Sequence, residues 1–144
     1  MRAYVLLFAN LGLLACQAGP QDAENAPGTS PDGFTGIAAD EIIYFGGTEP
    51  FWGGEVQGNR LNYTTPENPD GTAITVERFT GQGGLGFSGT LAGQTFDMTV
   101  TPGECGDGMS DRAYPYTVTL MLDGGQRNGC AHTDDQPFEG LENP

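Results

Sequence analysis

The sequence predicts an all-β fold, a small antiparallel meander of about eight strands closing into a barrel or stacking as a compact sandwich. Three observations carry that reading. Apolar and polar residues alternate over short runs: Phe96, Met98 and Val100 against Asp97, Thr99 and Thr101, and Tyr116, Val118, Leu120 and Leu122 against Thr117, Thr119 and Asp123. A period of two, rich in β-branched and aromatic residues, marks strands buried on one face. Turn-forming groups separate the runs, at Gly58-Asn59, Asn68-Pro69-Asp70-Gly71, Ala92-Gly93 and Asp123-Gly124-Gly125. No long window shows the periodicity of an amphipathic helix.

The expected strands are 41–46, 52–57, 60–65, 73–80, 84–91, 94–101, 115–122 and 125–131. The first holds the apolar run Ile42 to Phe45, and the third alternates Leu61 and Tyr63 with Asn62 and Thr64. In Ile74-Thr75-Val76-Glu77-Arg78-Phe79 the apolar phase slips by one, which predicts a bulge near Glu77-Arg78. The strands form one domain, 39–132, followed by an acidic and loose tail, 133–144.

Residues 1–15 read as an export signal. Met1-Arg2 supplies a positive start, and Ala3 to Ala15 is apolar apart from Asn10 and Gly12. The run falls short of the roughly 20 residues a membrane-spanning helix needs. Its end, Leu13-Leu14-Ala15-Cys16, resembles the lipobox of bacterial lipoprotein precursors. The resemblance implies cleavage before Cys16 and a lipid on its thiol. Residues 16–38, rich in Gly, Pro, Ala and acids, read as a flexible tether. Gln17 is not the aspartate that retains enterobacterial lipoproteins in the inner membrane. By that analogy the expected location is the outer membrane, on its periplasmic side.

Four arginines and nineteen acids follow Cys16, a net charge of −15, and the chain has no lysine. Such a surface repels nucleic acid and anionic headgroups, and favours cationic partners or plain solubility. With Cys16 committed to lipid, Cys105 and Cys130 remain as a pair in an oxidising compartment and are expected to bond.

Two segments stand out, Gly46-Gly47-Thr48-Glu49-Pro50-Phe51-Trp52-Gly53 and the stretch from Thr101 to Tyr116 around Cys105-Gly106-Asp107-Gly108-Met109-Ser110-Asp111-Arg112-Ala113-Tyr114-Pro115. With Gly129-Cys130-Ala131 they resemble a family of bacterial envelope proteins, many of them lipoproteins, sometimes joined to META-type or C-type lysozyme inhibitor domains. The resemblance covers about Ile42 to Ala131 and departs at Gly106, where the family usually has serine. It implies a fold and an address more than a mechanism.

The candidate binding or structural residues are Glu49, Phe51, Trp52, Asp107, Asp111, Arg112 and Tyr114. Asp107 and Asp111 offer hard oxygens to a cation, but the adjacent Arg112 competes with a metal. The favoured reading has Arg112 pairing with one of these carboxylates or with Glu49, and pinning the loop beside the disulfide. Phe51 or Trp52 is expected to cap one barrel end, with the Glu49–Trp52 turn and the Asp107–Tyr114 loop side by side there. No cofactor or metal is expected, and no enzyme activity. His132 lies in an acidic stretch and reads as solvated, and Ser30, Ser88 and Ser110 sit in no nucleophile elbow. The expected function is a lipid-anchored, non-enzymatic binding or envelope-maintenance module, touching the membrane through its anchor and an envelope component or cationic protein. An inhibitor of a cationic host enzyme such as lysozyme is the alternative. A small-ligand carrier ranks last, because about eight strands enclose little more than their own side chains.

Overall fold

The computed structural model describes residues 33–140, so the segment read as an export signal, Cys16, most of the segment read as a tether and the last four residues lie outside the described residues. The fold is a closed antiparallel barrel of eight strands in sequence order: β1 (Ile43–Thr48), β2 (Phe51–Gln57), β3 (Arg60–Thr65), β4 (Asn68–Thr80), β5 (Leu85–Leu91), β6 (Gln94–Gly106), β7 (Ala113–Leu122) and β8 (Gly125–Thr133). β8 closes on β1 from Ile43↔Thr133 to Gly46↔Cys130. The hairpins are short because the chain can take positive φ where it must reverse. Ala92-Gly93 does so at φ 49° and 81°, and Asp123-Gly124 at 53° and 69°, the hand that matches strand twist.

Alternation fills the interior. Phe96, Val100 and Leu120 are fully buried, with Phe87, Leu61 and Met98 beside them. Inward side chains thus fill the middle of the barrel. Glycines make room for the largest ring. Gly47 pairs with Trp52 across β1–β2 and Gly129 faces inward from β8, so the indole lies inside the wall, 5% exposed. Phe45 and Tyr63 flank it at 6.0 and 6.3 Å.

Several expectations need correction. There is no bulge at Glu77-Arg78: β4 runs in regular register against β5 from Val76↔Gly89 to Thr80↔Leu85. Arg78 keeps the inward phase and donates to the Ile37 carbonyl at 3.0 Å, while Phe79 stays outside over its cross-strand partner Gly86. The register shifts fall instead between Tyr63 and Thr65 and between Pro102 and Cys105. Asn68-Pro69-Asp70-Gly71 is not a turn but the start of β4. β5 pairs with β4 only from Val76 onward, so Pro69 interrupts no ladder on that side.

The flanks are also ordered parts of the barrel. Residues 33–38, expected as tether, cover one end of it: Ile37 is 3% exposed, and Phe34 donates its N–H to the Gly81 carbonyl. Residues 133–140, expected as part of a loose tail, pack against the barrel. Thr133 is fully buried, Gln136 Nε2 donates to the Gly36 carbonyl at 2.8 Å, and Glu139 exchanges two backbone bonds with Ala113.

Candidate functional site

The β6–β7 hairpin outruns its neighbours and leaves the barrel wall. Pro102 has no N–H to give the ladder, and the register shifts between it and Cys105, so the hairpin bends there. The bent segment lies against the outer face of β8 and reaches β1. Cys105 bonds Cys130 with a Cα–Cα distance of 5.6 Å, and Thr48 Oγ1 donates to the Asp107 carbonyl at 3.1 Å.

The loop at its tip is built around Asp107. Oδ1 accepts the N–H groups of Met109 and Ser110 at 2.9 and 2.8 Å, and Oδ2 accepts the Ser110 hydroxyl at 2.7 Å. The Met109 N–H foremost, then the Ser110 hydroxyl and N–H, hold the Asp107 carboxyl below the usual carboxylate range. Asp111 is exposed at the tip. Arg112 lays its guanidinium over the Phe138 ring, 4.6 Å from the centroid. Asp107 therefore serves its own loop as an acceptor. No group of three or more His, Cys, Asp or Glu comes together for a metal among the described residues.

Beside the hairpin the wall carries a cluster of rings. Tyr44 and His132 are cross-strand partners stacked at 5.2 Å, Tyr114 tilts against His132 at 5.8 Å, and Phe138 meets it edge-on at 5.1 Å. Burial holds His132 below its ordinary value; Asp134 pulls it up and Arg112 pushes it further down. His132 is thus half-buried among rings, not free in a loose tail.

Two grooves flank the hairpin. One, about 330 Å³, runs between Cys105, Gly106 and the outer faces of Thr117, Thr119 and Asn128. The other, about 250 Å³, is walled by Tyr44, Tyr114, His132 and Thr48, with Gly46, Gly47 and Trp52 at its floor.

Of the sequence-derived candidates, Trp52, Asp107, Tyr114 and Cys130 meet here. Glu49 and Phe51 stand exposed on the β1–β2 turn, Phe51 at 53%. Phe51 is outside the barrel, while Trp52 lies inside it near the end that carries the β1–β2 turn. The turn and the loop do not share a barrel end either. They leave opposite ends of an up-and-down barrel, and the folded-back hairpin brings them together on one wall. Tyr44, His132, Phe138 and Thr48 escape a sequence reading. Tyr44 lies in a run that signals only apolar core, and His132 borders a stretch with the composition of a tail.

His132 gives a pH test. It is the only histidine of the chain, and its folded value lies below the 6.5 of the unfolded state. As pH falls below 6.5 the unfolded chain takes up a proton that the folded chain resists, so stability is lost down to the folded value. The urea midpoint is expected to drop between pH 7 and pH 5, and His132→Phe to flatten that drop; an equal slope in the variant rejects the assignment. Asp107 acts lower, its contribution present above 3.8 and lost as pH falls through its depressed value.

Comparison with known families finds no matching model for this chain, and comparison with curated proteins and with solved structures gives no match.

Proposed function

We propose that this chain is a lipid-anchored bacterial envelope protein, cleaved before Cys16 and held at the periplasmic face of the outer membrane. There the barrel acts as a non-enzymatic binding module, and its partner engages the wall beside the β6–β7 hairpin. The Cys105–Cys130 disulfide carries this reading. Such bonds persist in oxidising compartments, in keeping with the export signal and lipobox at residues 1–16. The same bond clasps an element to the outer wall that the barrel does not need for closure, which is how a rigid scaffold presents a binding surface. Catalysis has less in its favour. Ser88 bonds Asp97 and Ser110 bonds Asp107, so neither hydroxyl is activated by an imidazole in this arrangement.

Cys16→Ser is expected to leave an uncleaved, unlipidated precursor, and globomycin to block processing of the wild type. Intact-mass measurement of the mature protein checks this. Cleavage at another position with Cys16 unmodified overturns the reading.

A further inference from the structure

We propose that the edge of β7 at Ala113, with the rings beside it, docks an extended partner segment carrying an aromatic residue, and that the chain's own residues 134–140 occupy this site until the partner displaces them. The proposal deepens the binding-module reading and rests on it for its biological setting.

The first observation is a sheet edge filled by strand addition. β7 pairs with β8 only from Tyr116↔Ala131 onward, so its first residues run past that neighbour. Ala113 pairs with Gly106 of β6 on one side. On the other it exchanges two backbone bonds with Glu139, each 2.8 Å, in an isolated antiparallel bridge. A segment that adds to a sheet edge is held by main-chain bonds and selected by the pockets its alternate side chains enter.

The second observation is such a pocket. Phe138, the residue before the bridge, lies 5.4 Å from the Tyr114 ring and meets His132 edge-on at 5.1 Å. The Arg112 guanidinium covers its face at 4.6 Å. Rings on two sides and a cation over the face suit an aromatic side chain. The 250 Å³ groove opens from the same Tyr114 and His132, so the flanks of a longer segment have a continuing surface.

The third observation is how lightly the occupant is held. The barrel closes through β8 and β1 without it. From Asp134 to Gly140 every residue is exposed except Phe138, which is half-buried. Asp134, Asp135 and Glu139 bring three carboxylates back onto a chain of net charge −14, which opposes their docking. The covalent link offsets this, giving the segment an effective concentration of roughly millimolar order. A partner that spans the edge and the groove together overcomes that advantage.

A labelled peptide with the sequence of residues 133–140, Thr-Asp-Asp-Gln-Pro-Phe-Glu-Gly, is titrated into the full chain in detergent and followed by fluorescence anisotropy. In a released form, Phe138→Ala with Glu139→Pro, the chain's own segment loses its ring and its bridging N–H. The released form is expected to bind the peptide saturably and at least about tenfold more tightly than the wild type. Alanine in place of the peptide's phenylalanine, or Tyr114→Ala in the released form, is expected to abolish that binding. In the wild type, the Glu139 amide is expected to exchange well before the amides paired between β7 and β8. Protection of Glu139 equal to theirs overturns the proposal whether or not the released form folds. No saturable binding to the released form, equal affinity in the two forms, or undiminished binding of the alanine peptide overturns it as well. The two readings fail separately. If a diazirine amino acid at Tyr44 captures an envelope component equally in wild type and released form, the displacement proposal alone fails. If the peptide binds as expected and Tyr44 captures nothing in either form, the partner reading alone fails.

Discussion

Reducing the Cys105–Cys130 bond is expected to destabilise the barrel by about 3–4 kcal/mol on the chain-entropy argument for a loop of this length. The bond joins positions 25 apart. In the reduced unfolded chain those positions move freely, and the folded state must again meet the cost of closing the loop. For a domain of roughly one hundred residues that loss lowers the melting temperature on the order of 15–25 °C. The effect has a local part. Without the clasp the hairpin is held by the Thr48–Asp107 bond, the Ala113–Glu139 backbone pair and the rings around His132. Exchange of the Gly106 to Ala113 amides is therefore expected to accelerate before that of the β7 core. Thermal unfolding of the oxidised protein and the Cys105→Ser, Cys130→Ser double variant checks this; a shift below about 5 °C would show that the bond constrains little.

Gly129→Ala is expected to cost about 3 kcal/mol, near the upper end for an overpacked interior. A Cβ there would lie 2.2 Å from the Gly46 carbonyl oxygen and 3.1 Å from the Trp52 ring. The oxygen belongs to the backbone of the closing strand, so neither can retreat without opening the β1–β8 seam. Gly106→Ala is the matched control: a Cβ there meets nothing within 4 Å, and its change is expected to stay within about 0.5 kcal/mol. Urea denaturation of the two variants separates them, and equal midpoints would mean that the seam yields easily.

Much of the barrel was legible because the inward residues of β6 and β7 alternate without interruption and tight turns follow them. Legibility failed where cross-strand partners decide a residue's face. Phe79 looks inward in sequence, yet Gly86 opposite it leaves an outer slot that the ring fills while Arg78 turns in. Trp52 is held inside by glycines on two neighbouring strands, a relation visible only once the register is known. The groove was harder still. Cysteine pairing foretold the clasp, but not that the hairpin bends at Pro102 and crosses β8 toward Thr48. His132 joined the site because the segment after β8 packs back, bridging Glu139 to Ala113 and setting Phe138 beside the imidazole.

The wall beside the clasped hairpin is where a partner is expected to sit, and photocrosslinking in intact cells tests that most directly. A diazirine amino acid is placed at Tyr44, at the groove, or at Glu77, exposed on β4 across the barrel. Strong adducts with an envelope component from Tyr44, and none from Glu77, are the expected result. Equal adducts from both positions, or none from Tyr44, would contradict it.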